Sequence, residues 1–186
     1  MPPKVKTTKE EIINAAVEIV CESGVDSLNA RNIAAILGCS TQPIFSNFAT
    51  MEELSLAVVD KAQDLCNEYI SREIASGEYP EYKASGMAYI RFAKEEKELF
   101  KLLYMRDRSG EPIPETDELN DKMYSLVNAF TGLSDDDAKL FHLEMWACVH
   151  GLATMFATGF VDLEWDLVSK ILTDSYQGHR KLYNLE

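Results

Sequence analysis

Two histidines eight residues apart, His142 and His150, with Trp146 and Cys148 between them, are the first residues of this chain whose types could do chemistry. Histidine is the commonest metal ligand and a frequent general base, so a helix carrying both invites a metal or catalytic reading. Spacing argues against it. Eight helical residues rise roughly 12 Å, whereas two ligands of one zinc ion on a helix stand about one turn apart. Cys148 with Glu144 adds no recognisable site, no Ser/His/Asp grouping stands at catalytic spacing, and no glycine-rich phosphate loop occurs. The sequence predicts no enzyme, no metal and no cofactor. Cys21, Cys39, Cys66 and Cys148 are scattered without Cys-x-x-Cys spacing, which suits free thiols in a reducing cytosol.

Residues suited to recognition lie nearer the start. Gln42 offers the paired donor and acceptor that match an adenine edge, and the Thr41 methyl and Pro43 ring offer apolar contact to a thymine methyl. The residues around them predict the helices that must hold them. Thr8 and Glu11 make a capping box that starts a helix whose Ile12, Ala15, Ala16, Ile19 and Val20 share one face, with Gly24 as its stop. Asn29 caps a short helix from Ala30 to Leu37, with Ile33, Ala34 and Leu37 inward and Gly38 closing it. Ser40 is positioned to cap a third helix, Thr41 to Phe48, in which Pro43 is tolerated because first-turn N–H groups have no intrahelical partner. Helix, glycine turn, helix is the helix-turn-helix pattern. Two short helices about a glycine also occur in ordinary bundles, and spacing alone leaves both readings open.

The run from Ile33 to Phe48, Ile-Ala-Ala-Ile-Leu-Gly-Cys-Ser-Thr-Gln-Pro-Ile-Phe-Ser-Asn-Phe, resembles the helix-turn-helix of the TetR family of transcription regulators. In that family a helical Ile-Ala, a Gly-Val-Ser turn and a recognition helix ending in aromatic-x-x-Phe follow in the same register. The resemblance extends from Thr8 to about Ala57, including Thr50-Met51-Glu52-Glu53-Leu54, which is similar to the family's capped start of helix four. It implies double-stranded DNA carrying a palindromic operator as partner, with Lys6, Asn29, Arg31, Thr41, Gln42, Pro43, Phe45, Ser46 and Asn47 as the DNA-binding residues. Ile44 and Phe48 point the other way on helical spacing and read as packing. The chain departs from the family in having Phe45 for a phosphate-reaching tyrosine, Ser46 where a basic residue is frequent, Asn47 for a histidine and Met51 for a lysine. Backbone N–H groups behind Thr50 offer phosphate binding without a lysine.

Downstream, the pattern predicts a helix from Met51 to Ser76, ended by Gly77, with Leu54, Val58, Ala62, Leu65 and Tyr69 along one face. Helices over 81–93 and 95–106, a breaker-rich loop over Asp107–Pro114, a helix from Thr116 or Asp117 to about Phe130, one from Ser134 to about Thr158, and a last one over Trp165–Leu182 follow. The fifth of these carries two apolar stripes: Leu140, Leu143, Ala147, Gly151, Thr154 and Thr158, and Phe141, Met145, Cys148, Leu152, Met155 and Phe156. One stripe suits the core and the other a second subunit, which Ala147 and Gly151 would let approach closely. Trp146-Ala147-Cys148-Val149-His150-Gly151 and Glu98-Leu99-Phe100-Lys101-Leu102-Leu103 resemble one subset of TetR-type C-terminal domains. The resemblance implies a homodimer and a small-molecule inducer, with Phe92, Leu103, Tyr104, Tyr124, His142, Trp146 and His150 as ligand-facing candidates. Core or dimer packing is the competing role of each, most of all of His150 beside Gly151.

Composition sets the bounds. Hydrophobic residues at 46% and charged residues at 26% describe a chain that folds rather than a disordered one. The start, Met-Pro-Pro-Lys-Val-Lys, leads into polar sequence, and no apolar run nears the length of a membrane span, so a cytoplasmic protein with no membrane partner is expected. The net charge of −13 opposes phosphate binding, but residues 1–50 hold four basic and five acidic side chains, so the excess acid lies downstream. The expected architecture is all-α: a three-helix helix-turn-helix domain over 1–50, then a helical ligand-binding and dimerisation domain over 51–186 with helix 51–76 as connector. The expected function is a ligand-released repressor; the alternative is a helical ligand-binding or interaction module with a weakened DNA surface.

Overall fold

The computed structural model describes residues 7–107 and 118–185, and all regular structure among them is helical. The elements are α1 (Lys9–Ser23), α2 (Ala30–Ile36), α3 (Gln42–Asn47), α4 (Met51–Ser76), α5 (Glu81–Glu95), α6 (Lys97–Tyr104), α7 (Glu118–Thr131), α8 (Asp135–Ala157) and α9 (Trp165–Leu182), with one 3₁₀ turn at Val25–Ser27. The chain divides into two compact units, Met1–Asn67 with Glu96–Arg106, and Glu68–Glu95 with Asp107–Glu186. This division follows packing, whereas the boundary expected at residue 50 is drawn by function. The expected loop after Asp107 and the cap at Thr116 or Asp117 lie outside the described residues.

In the first unit, α1 packs against α2, α3 and α6. Its start is the reciprocal box that the sequence specifies. Thr8 Oγ1 accepts from the Glu11 N–H at 3.1 Å, and Glu11 Oε2 accepts from the Thr8 N–H at 2.8 Å. Ile12, Ala15, Ala16, Ile19 and Val20 are all buried, and α6 contributes Leu99, Phe100, Leu102 and Leu103 to the core. Asn29 Oδ1 accepts from the N–H groups of Arg31 and Asn32 at 3.1 and 3.0 Å, opening α2. At its end Gly38 adopts φ +60, and the N–H groups of Gly38 and Cys39 bond to Ala35 and Ala34 oxygens in a Schellman pair. An L side chain would be strained at that angle, so Gly38 fixes the sharp turn that redirects the chain into α3.

The start of α3 differs from expectation. Thr41, not Ser40, is the capping position, and it accepts no side-chain bond from the first turn. Thr41 has helical angles, φ −70 and ψ −12, rather than the extended ones from which a cap oxygen reaches back. Pro43 removes one of the orphan donors instead. Ile44 and Phe48 are buried, anchoring the short helix through one side.

The buried positions of α4 are Leu54, Val58, Ala62, Cys66 and Ile70, so Cys66 and Ile70 replace the expected Leu65 and Tyr69. Successive steps of four rotate the stripe by about 40° each. Tyr69 is half-buried, packs edge-on against Phe92 at 5.5 Å, and donates to Glu95 at 2.9 Å.

In the second unit α5 packs against α7, α8 and α9, and α8 also meets α7 and α9. Gly86 makes the α5 contact close: a methyl there would stand 3.2 Å from Val149 Cγ2 and 3.4 Å from Leu172 Cδ1. Ser134 accepts from the Asp137 N–H to cap α8. The core face of α8 is Ala138, Phe141, His142, Met145, Val149, Leu152, Ala153, Phe156 and Ala157. Cys148 is only half-buried and Met155 is exposed, which corrects two members of the expected core stripe; Val149, one residue on, takes the inward place. The other stripe lies largely open, with Leu140, Leu143 and Ala147 exposed and Gly151 facing empty space. No helix among the described residues is long and apolar enough to cross a membrane.

Candidate functional site

The open side of α3 is built by subtraction. Burial of Ile44 and Phe48 on one side leaves Gln42, Phe45 and Ser46, at relative positions i, i+3 and i+4, exposed together on the other. Thr41 and Pro43 flank them, half-buried. Phe45 is 50% exposed.

Several other candidates spend their polar atoms inside the fold. The Asn47 amide donates to Pro43 O at 2.8 Å and Thr7 O at 3.4 Å. Asn29 accepts twice as the α2 cap and donates to Ser27 O at 3.1 Å. Ser46 donates to Gln42 O at 2.9 Å, leaving its oxygen lone pairs to accept. Arg31 is exposed in the first turn of α2, and Lys6 lies outside the described residues. Lys9 is bound to Glu53 at 3.3 Å and sits 4.6 Å from the centre of the Phe48 ring. Glu53 also accepts from the Ala49 N–H at 2.7 Å, while its own N–H donates to Thr50 Oγ1 at 3.1 Å. The Ala49 N–H first, and Lys9 second, hold the Glu53 carboxyl below its ordinary range. From Asn32 to Asp60 the sequence contains no lysine or arginine. The surface is therefore nearly uncharged on its cationic side, and what it presents is an amide, a ring and a hydroxyl.

The seven ligand-facing candidates fall into separate groups. Leu103 and Tyr104 belong to the first unit. Leu103 is buried, and the Tyr104 hydroxyl lies 3.7 Å from Cys66 Sγ and 3.5 Å from Gln63 Oε1. Burial pushes the Cys66 thiol up to about 11, despite that hydroxyl, so it stays protonated and unreactive. The other five belong to the second unit, where Phe92 is fully buried beside Tyr69.

Two tyrosines that sequence reasoning missed organise the remaining four. Tyr82 Oη is hydrogen-bonded to His142 Nδ1 at 2.9 Å, and Tyr89 Oη to His150 Nδ1 at 3.0 Å. Seven residues separate the tyrosines and eight the histidines, about two helical turns in each case, so both pairs close along one seam of parallel α5 and α8. That matching repeat was the available signal. Tyr124 meets His142 edge-on at 5.0 Å, and Phe130 and Tyr176 stand 5.6 and 6.4 Å from the Tyr82 ring. Burial, then Tyr176 and Tyr124, drives the Tyr82 hydroxyl well above its ordinary range, so it remains neutral. Trp146 stacks on His150 at 4.7 Å and 17°. Burial lowers the His150 pKa. Among the described residues no group of three or more His, Cys, Asp or Glu is placed to hold a metal ion.

Residues 82–172 match the family described as tetracyclin repressor-like, C-terminal domain. No curated protein matches the chain in sequence. A solved protein of unknown function from Rhodococcus sp. RHA1 has the same fold, with TM-score 0.74 and 21% identity over 96% of this chain and 98% of that one. A TetR-like transcriptional regulator from Rhodococcus sp. RHA1 superposes with TM-score 0.67 at 16% identity, over 98% of both chains. The multidrug binding protein EbrR, complexed with malachite green, gives TM-score 0.64 at 17% identity over 93% of this chain and 98% of that one. At such identities the likeness speaks for the fold. The family likeness therefore lies in residues 82–172, which are similar to the tetracyclin repressor-like C-terminal domain, within a fold shared over nearly the whole chain with the TetR-like regulator.

Proposed function

We propose that the chain is a ligand-responsive transcription regulator that binds a palindromic operator as a homodimer and is released from it by a small molecule, so that it acts as a repressor. The observation that carries this is α3: a short helix after a tight turn, anchored by Ile44 and Phe48, with Gln42, Phe45 and Ser46 open on the other side. Such a helix enters a major groove, and two of them in a dimer meet successive half-sites. Gln42 reads an adenine edge, Thr41 and Pro43 flank it, and Arg31 and Lys6 meet the backbone, with Asn29 and Asn47 holding the frame.

The homodimer rests on the open stripe of α8, with Leu140 and Leu143 exposed, together with exposed Leu167 and Leu182 of α9. Large apolar side chains left in water along a helix mark a protein contact. Malachite green bound to EbrR supports a small-molecule ligand for this fold, which we place in the second unit. We assign Tyr124, His142, Trp146, His150 and Phe92 to its surroundings. A ligand that favours one state over the other by about 1–3 kcal/mol would suffice for release, and α4, common to both units, would transmit it.

Selection of duplexes from a random library with the full chain tests the proposal. An enriched inverted repeat is expected. The salt slope should be shallow, reflecting fewer than about six neutralised phosphates. The stretch from Asn32 to Asp60, free of lysine and arginine, favours a second reading, an interaction module without a DNA role. No enrichment at low salt would select that one.

A further inference from the structure

We infer that α3 reads the C5-methyl groups of its operator's pyrimidines through Phe45, so that thymine methyls supply much of the sequence preference that hydrogen bonds and cations supply elsewhere. The inference rests on the DNA-binding reading and deepens it. Phe45 is half exposed although Ile44 and Phe48 on either side of it are buried, so packing accounts for its neighbours and not for its own ring. Its ring shares the open side of α3 with Gln42 and Ser46. Lys9 is held by Glu53, and no lysine or arginine occurs from Asn32 to Asp60. Ser46 donates inward, and the Asn47 amide is satisfied within the fold. A major groove presents such a surface with one apolar feature, the methyl group of thymine. A phenyl ring, unlike a tyrosine, carries no hydroxyl to be drawn off to a phosphate. The ring therefore sits against the base edges, and the half-site holds a thymine opposite it.

The test uses the duplex enriched from a random library and the full chain. Each thymine is replaced in turn by deoxyuridine, which removes only the methyl group. One symmetry-related position should weaken binding by about fourfold per half-site, the effect of returning one methyl to water. Phe45→Ala should bring the thymine-to-uracil ratio at that position to about one, whereas Phe45→Leu, which keeps a large apolar side chain, should retain much of it. Thermal unfolding of both variants should match the parent, since the side chain is half in solvent. Equal binding of every uracil duplex, or an undiminished ratio in Phe45→Ala, would overturn the inference while leaving DNA binding intact. Failure to enrich any duplex would overturn both.

Discussion

α3 and α8 both hold apolar side chains in water, but on different scales. α3 exposes one large ring, Phe45, beside an amide and a hydroxyl. α8 exposes Leu140 and Leu143, and continues through Ala147 to Gly151, where there is room for a second backbone. An isolated ring with polar neighbours suits a contact with a polar, featured surface such as a groove. A stripe several turns long, ending in small residues, suits another helix. The same physical signal, exposed apolar area, thus points to two kinds of partner, and its extent distinguishes them.

The largest effect should follow from charging the long stripe. Leu143 is 57% exposed in the single chain, so Leu143→Asp should leave the fold intact while placing an unpaired charge inside the proposed dimer. A loss of about 3–5 kcal/mol in association is expected, read by sedimentation velocity; unchanged self-association would remove the second subunit from that face. Phe48→Ala, on the buried side of α3, should cost about 3–5 kcal/mol of folding stability, while Phe45→Ala on the open side should change it by less than about 0.5 kcal/mol. Urea unfolding of the two variants measures this contrast directly. Asn29→Ala removes both cap bonds of α2 and should cost about 1 kcal/mol in the same assay.

The smallest effect concerns pH. Burial lowers the His150 pKa in the folded chain below its unfolded value, near 6.5. The unfolded chain then binds the proton more readily, so the contribution is fully present above pH 6.5 and is lost as the pH falls through the folded value. Replacing His150 by Gln should make stability fall less between pH 7 and pH 5. An unaltered pH profile would show that the Tyr89 pair does not govern this seam.

Much of the fold was legible in the sequence because local chemistry specified it. Thr8 with Glu11, Asn29, Gly38, Gly77 and Ser134 mark helix ends by what their side chains or backbones can do, and α4 and α9 fall on the residues the pattern indicated. The errors arose where tertiary packing decides. Helical periodicity could not choose Cys66 over Leu65 or Val149 over Cys148, since each pair is adjacent and the neighbouring helices set the rotation. The Tyr82–His142 and Tyr89–His150 pairs join residues sixty and sixty-one positions apart, so the matching repeats on the two helices hint at a seam without identifying the partners. At α3 the sequence named candidate residues but not which of them are spent on holding the turn. Asn47 and Asn29 read as free polar groups until their partners are known.

The central claim is that two copies of this chain present two α3 helices to one duplex. Sedimentation equilibrium of the full chain on its selected duplex tests it most directly. Two chains per duplex are predicted on an inverted repeat whose half-sites lie about one helical turn, roughly 34 Å, apart, with a single half-site bound far more weakly. One chain per duplex, with full affinity for an isolated half-site, would contradict it.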